Sequence, residues 1–159
     1  MIEADVGSAG RTVPVAFVVA SVPGLIHAMF SIYWGLGGTL LVWSLGDDLV
    51  QNFPGREWLL VLTGAVKLVA AVAPIILAWY GWPYWHVTRV VCWLGAAALL
   101  TWGGLNTLVA NSVLAGVIQP DADFDGAGMV GHAYLWDPLF FVWGAALVWG
   151  LIASRRRAI

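Results

Sequence analysis

Charge is scarce in this sequence. Only 10% of its 159 residues are Asp, Glu, Lys or Arg, against roughly a quarter in an ordinary soluble domain. A chain so poor in charge cannot cover a water-facing surface, and 61% of its residues are hydrophobic. It reads as an integral membrane protein. Cysteine is scarcer still: Cys92 stands alone, which excludes an internal disulfide, a CxxC redox pair and a Cys-rich zinc site. The net charge of -2 and the lack of a basic block interleaved with aromatics exclude a nucleic-acid partner. The usual catalytic signatures are missing too: no GxSxG, no HExxH, no P-loop and no glycine-rich dinucleotide turn. No internal repeat is evident, which argues against an inverted-repeat transporter.

What is present is apolar length. Four segments, about 13–43, 58–79, 87–118 and 135–154, each reach the ~20 residues that cross a bilayer core. The predicted fold is all-α, a single transmembrane domain forming a four-helix bundle. The connectors "GDDLVQNFPGRE", "YGWPYW" and "QPDADFDGAGMVGH" carry the Gly, Pro and Asp of loops. The first span lacks a convincing cleavage site and is expected to be retained. Arg11, Arg89 and Arg155 to Arg157 fall on one side, and Arg56 alone on the other. By the positive-inside rule both termini are expected in the cytoplasm. The C-terminal arginines suit contact with anionic lipid.

Inside the spans, His27, Lys67, Asn106 and Asp137 break the lipid rule, and a polar group at membrane depth is a site candidate by default. At ~1.5 Å per residue, His27, Asn106, Asp137 and Trp34 fall in the outer half, with Lys67 near the midplane. Tyr33, Trp34 and Trp136 lie beside them in sequence or depth. These seven residues define an expected outward-facing polar pocket for a lipid-like or small apolar ligand, with Lys67, His27 and Asp137 as its central trio. Gly35, Gly37 and Gly38 would bring backbones close or end the first helix there. An equally simple reading is interhelical hydrogen-bond glue, with Lys67 paired to Asp137 or snorkelling. Bound haem is disfavoured, since His86 and His132 lie in connectors and leave His27 without an axial partner.

Asp121, Asp123 and Asp125 alternate before Gly126, as in the opening half of an EF-hand loop. The twelfth position, where a bidentate acid belongs, is His132. The segment is either a solvated acidic loop or a weak calcium site. No other cofactor is expected.

Two stretches carry a resemblance. "HAMFSIYWGLGGT", with His27, Tyr33, Trp34, Gly37 and Gly38, and "YLWDPLFFVWGAAL", with Trp136, Asp137 and Pro138, resemble the DUF3995 family of bacterial four-helix membrane proteins. Here Asp137 and Pro138 are directly joined, where the pattern has more spacing. The resemblance implies an uncharacterised protein of the bacterial plasma membrane and groups His27 and Trp34 with Trp136 and Asp137. It lends no activity. Besides the ligand pocket, the open readings are an accessory subunit of a larger membrane complex and a small transporter or channel subunit, the last requiring a homo-oligomer. Membrane lipids are partners in every case.

Overall fold

The computed structural model describes residues 13–52, 54–120 and 124–155. Four helices are long and apolar enough to cross a membrane. They are α1 (Val15–Gly35), α3 (Trp58–Trp79), α4 (Trp85–Leu114) and a composite fourth built from α5 (Gly126–Gly131), a π-helical turn (His132–Trp136) and α6 (Asp137–Ala153). A short helix, α2 (Asp47–Asn52), and a 3₁₀ turn (Val42–Leu45) lie in the first connector. No strand occurs among the described residues.

Three of the helices stop by one device. After α1, Gly37 takes φ +89, its N–H reaching the Trp34 carbonyl while Gly38 N–H reaches that of Tyr33. Gly81 after α3 and Gly116 after α4 repeat the arrangement, with φ +71 and +73 and the same paired bonds back into the last turn. This is the Schellman ending, and it needs a left-handed residue that glycine supplies without strain. It corrects the expected spans. The first helix ends at Gly35 rather than position 43, because an apolar run carries no stop signal whereas "GLGG" does. The third runs 85–114 rather than 87–118, stopped by Gly116, and the fourth begins at 126 rather than 135.

The helices lie in the order α3, α1, α6, α4, with α1 packed on α3 and α6, and α6 on α4. Half of the apolar window of α1 is buried but only 17% of those of α3 and α4, so the latter two face lipid. Between lipid-solvated helices water expulsion supplies little drive, and close packing of small residues must do the work. Gly24 of α1 abuts Ala71 and Trp143, Gly64 of α3 abuts Ala28 and Ile32, and Gly144 of α6 abuts Leu100 and Ala96. At Gly103 of α4 a Cβ would lie 2.6 Å from the Asp137 carbonyl oxygen, a backbone group that cannot turn aside.

At the end of the bundle where α1 starts and α6 finishes, Arg89 is a buried cation. It is only 6% exposed. Its guanidinium lies 4.9 Å from the Trp82 ring centre and 4.6 Å from that of Trp85. It donates to the Leu151 carbonyl and, at 2.9 Å, to Ser154 Oγ. The carbonyls that end α6 have no intrahelical donors, and a cation there meets both the bare oxygens and the negative end of the helix dipole. Trp82 is buried and held at φ +59, a conformation that costs a tryptophan energy. The connector accepts that strain to put an indole under Arg89 and against Phe17.

Candidate functional site

The opposite end is organised by a defect in a helix. Pro138 has no N–H, so the Tyr134 carbonyl loses its normal donor, and the preceding turn widens into the π-helical stretch His132–Trp136. A wide turn in a membrane helix leaves carbonyls that must be met from elsewhere. His27 Nε2 on α1 donates to the Trp136 carbonyl at 2.9 Å, and Asn111 Nδ2 on α4 approaches that of Ala133 at 3.4 Å. Three spans are thus tied at one irregular turn. The widening also brings residues five apart side by side. His132 Nδ1 donates to Asp137 Oδ2 at 2.9 Å, with Asp137 buried and His132 about half exposed.

His27 is 3% exposed. Its ring stacks on Phe140 at 3.8 Å between centres, one turn beyond the carbonyl it bonds. Trp136 then meets Trp34 edge-on at 5.0 Å and Phe30 at 5.2 Å. The two indole N–H groups fasten the connector over this aromatic cluster: Trp34 donates to the Leu40 carbonyl at 2.8 Å and Trp136 to Ser44 Oγ at 3.0 Å. Asp125 completes the cover, accepting from Gly128 N–H at 3.0 Å and Asp47 N–H at 2.7 Å. Those two amides hold its carboxyl below the usual carboxylate range.

Lys67 enters from α3, half-buried. Its Nζ donates to Ser31 Oγ at 2.9 Å and stands 5.4 Å from the Phe140 ring centre. Among the described residues no carboxylate lies within 4 Å of it, and the one ion pair found there joins His132 to Asp137. The expected pairing of Lys67 with Asp137 is therefore replaced: the π turn gives Asp137 a nearer partner on its own helix.

The seven residues singled out from sequence separate into three groups. His27, Trp34, Trp136 and Asp137 gather around the π turn, while Lys67 joins them through Ser31 and Phe140. Tyr33 is peripheral, 42% exposed, its hydroxyl accepting from Leu40 N–H at 3.2 Å. Asn106 is not brought in; its amide returns to the Trp102 carbonyl of its own helix at 2.9 Å, the common fate of a polar side chain with no interhelical neighbour. Two recesses flank the cluster. One, about 190 Å³, is lined by Met29, Phe30, Tyr33 and Leu40; the other, about 200 Å³, has Trp34, Gly38, Leu45 and Glu57 in its walls. Neither is lined by His27 or Lys67.

Sequence reading passed over Ser31, Phe140, Ser44 and the role of His132. Phe140 was accessible, since it lies four residues after Trp136 on the same helix face. The spacing of His132 and Asp137 was legible only to a reader who expected Pro138 to widen the turn. As for calcium, Asp125 has both oxygens engaged by backbone amides, and Asp121 and Asp123 lie outside the described residues. No three His, Cys, Asp or Glu side chains cluster for a metal among the described residues.

Four helices long and apolar enough to cross a membrane, tied at one irregular turn by His27, define a small polytopic membrane protein. The family model described as "Protein of unknown function (DUF3995)" matches residues 24–147, and the chain belongs to that family. Both the His27 segment and the π turn fall inside the match. No curated protein and no solved structure matches the chain.

Proposed function

We propose that this protein binds a lipid-like ligand at the polar layer where α1, α3 and α6 meet, with Lys67 and Ser31 as the contact point and His27 and Phe140 as its wall. One observation carries the reading: Lys67 is a half-buried cation at membrane depth with a single neutral hydrogen-bond partner. Charge inside a bilayer costs at least ~2.5 kcal/mol and is retained where a partner offsets it. Most of the other polar groups of the layer are already engaged with one another. His27, Trp136 and Asp137 therefore set the geometry, and Lys67 meets what binds.

Four crossings place both termini on one side. Arg89 and Arg155 lie at that end, and Arg11, Arg156 and Arg157 add to the same side in the sequence. The positive-inside rule then puts both termini in the cytoplasm and the Lys67 layer in the outer half of a bacterial plasma membrane.

A second reading, an accessory subunit of a larger membrane complex, has one observation in its favour. Trp102 is 63% exposed midway along α4, far from the interfaces where tryptophan anchors. Its indole N–H donates to no group among the described residues, as a helix awaiting a protein neighbour would leave it.

Native mass spectrometry of the gently extracted protein beside Lys67→Met separates the two. Ligand binding predicts a discrete adduct on the wild type that the variant lacks. A bare protein, or one released only together with other polypeptides, overturns ligand binding in favour of the accessory role.

A further inference from the structure

We infer that the ligand is an anionic amphiphile, a carboxylate or phosphate on an apolar tail, whose headgroup is held by Lys67 Nζ and Ser31 Oγ together. This rests on the ligand-binding reading above and specifies the chemistry of its occupant.

The inference starts from a count of unused donors. An ammonium has three N–H groups, and Lys67 uses one of them, on Ser31. Ser31 is itself 3% exposed, and its oxygen is the acceptor in that bond, so its own hydrogen remains to be donated. In membrane helices a serine or threonine hydroxyl ordinarily returns to a carbonyl of the preceding turn. Here Ser21, Thr63, Thr88, Ser112 and Ser154 do so, while Thr107 Oγ1 in α4 is buried without a partner. Ser31 does not, although it lies within α1 with carbonyls in reach. Two N–H groups and one O–H are thus left over at one point, and no carboxylate among the described residues lies within ion-pair distance of the ammonium. Three unused donors beside one positive charge suit a carboxylate or phosphate oxygen, and such charge-assisted bonds are the short, strong ones.

Depth argues that the anion carries a tail. Ser31 precedes the end of α1 at Gly35 by ~6 Å at 1.5 Å per residue. The Lys67 backbone thus lies near mid-span while its stem carries the charge toward the end of α1, as a snorkelling lysine does. A headgroup can dip that far from the interface when its chain stays in hydrocarbon. A free anion would have to leave water altogether, past a connector fastened shut by Trp34 and Trp136. On the His27 side, Nε2 donates to the Trp136 carbonyl and the ring face is covered by Phe140.

The test uses the full-length protein, stripped of endogenous lipid in a neutral detergent, titrated with oleate, oleyl alcohol and inorganic phosphate. Wild type is expected to bind oleate at least tenfold more tightly than oleyl alcohol and to bind phosphate negligibly. Lys67→Met should bring the two amphiphiles within twofold of each other. Ser31→Ala, a milder change that keeps the charge, should reduce the oleate preference several-fold with unchanged helicity. Equal affinity for oleate and oleyl alcohol in wild type would overturn the anionic headgroup while leaving lipid-like binding intact. Phosphate binding as tightly as oleate would overturn the tail. A preference for oleate that survives both substitutions would overturn the site, and binding of none of the three would overturn this inference together with the ligand reading beneath it.

Discussion

Arg89 and Lys67 are the arginine and lysine that lie within the described helices, and their surroundings differ in nearly every respect. Arg89 lies against two indoles that meet each other edge-on and donates to Leu151 and Ser154, at a helix end whose dipole favours positive charge. Lys67 has one hydroxyl, one phenyl ring at 5.4 Å and, among the described residues, no ion-pair partner. The first is spent on the fold. The second leaves most of its donor capacity over, although the side chains around it are positioned with care. Burial of charge alone therefore does not separate a structural residue from a binding one. The separation comes from counting what each donor already reaches.

That contrast breaks most visibly at Arg89. Replacing it with leucine is expected to cost about 3 kcal/mol, from two desolvated cation–π contacts and charge-assisted bonds to the end of α6. Thermal unfolding in detergent measures this. Arg89→Lys should recover only part of the loss, because an ammonium neither stacks flat nor forks to two acceptors. Next in size comes the seam that supports both ends: Gly103→Val drives side-chain carbon into the Asp137 carbonyl and should cost about 2 kcal/mol by overpacking, read from the same curves.

His27→Leu comes third. It removes the donor to the Trp136 carbonyl and should cost about 1 kcal/mol, the usual scale of an interhelical hydrogen bond in a membrane. Lys67→Met in ligand-free protein should change stability by less than about 0.5 kcal/mol, or raise it slightly, because an incompletely paired charge is replaced by an apolar chain of similar length. A large loss at Lys67, comparable to that at Arg89, would show the lysine to be structural and erase the distinction between them.

The smallest effect concerns pH. The Asp125 carboxyl is held below its ordinary value by the amides of Gly128 and Asp47. Its stabilisation of the cover is therefore complete above the unfolded value, about pH 3.9, and fades as pH falls through the lower folded value. The protection of the Gly128 and Asp47 amides from exchange, taken relative to the intrinsic rate at each pH, should fall on acidification through that window. Asp125→Asn should flatten the response.

Much of the fold was legible in the sequence because hydrocarbon imposes a simple demand: every span must be long and apolar, and four are. Their ends were read less well. Hydropathy passes smoothly through Leu36 to Trp43, yet α1 stops at Gly35 because Gly37 adopts the left-handed turn, a signal carried by one residue type rather than by polarity. For the candidate site, depth along the chain grouped His27, Trp34 and Asp137 but also Asn106, since counting residues gives level and not azimuth. Asn106 sits at a suitable depth and bonds its own helix, while Ser31, unremarkable in composition, faces Lys67. Pro138 was read as a departure from a pattern, although its missing N–H is what opens the turn that His27 closes.

Lysine occurs once in the sequence, at position 67, so its side chain can be watched without ambiguity. The most direct measurement is the ¹³Cε resonance of lysine-labelled protein in a neutral, phosphate-free detergent, titrated with oleate and, separately, with oleyl alcohol. The account predicts one resonance that shifts saturably with oleate, stays put with the alcohol, and responds more weakly to oleate in Ser31→Ala. A resonance indifferent to oleate, or moved equally by both amphiphiles, would contradict the claim that Lys67 is an unspent cation awaiting an anionic headgroup.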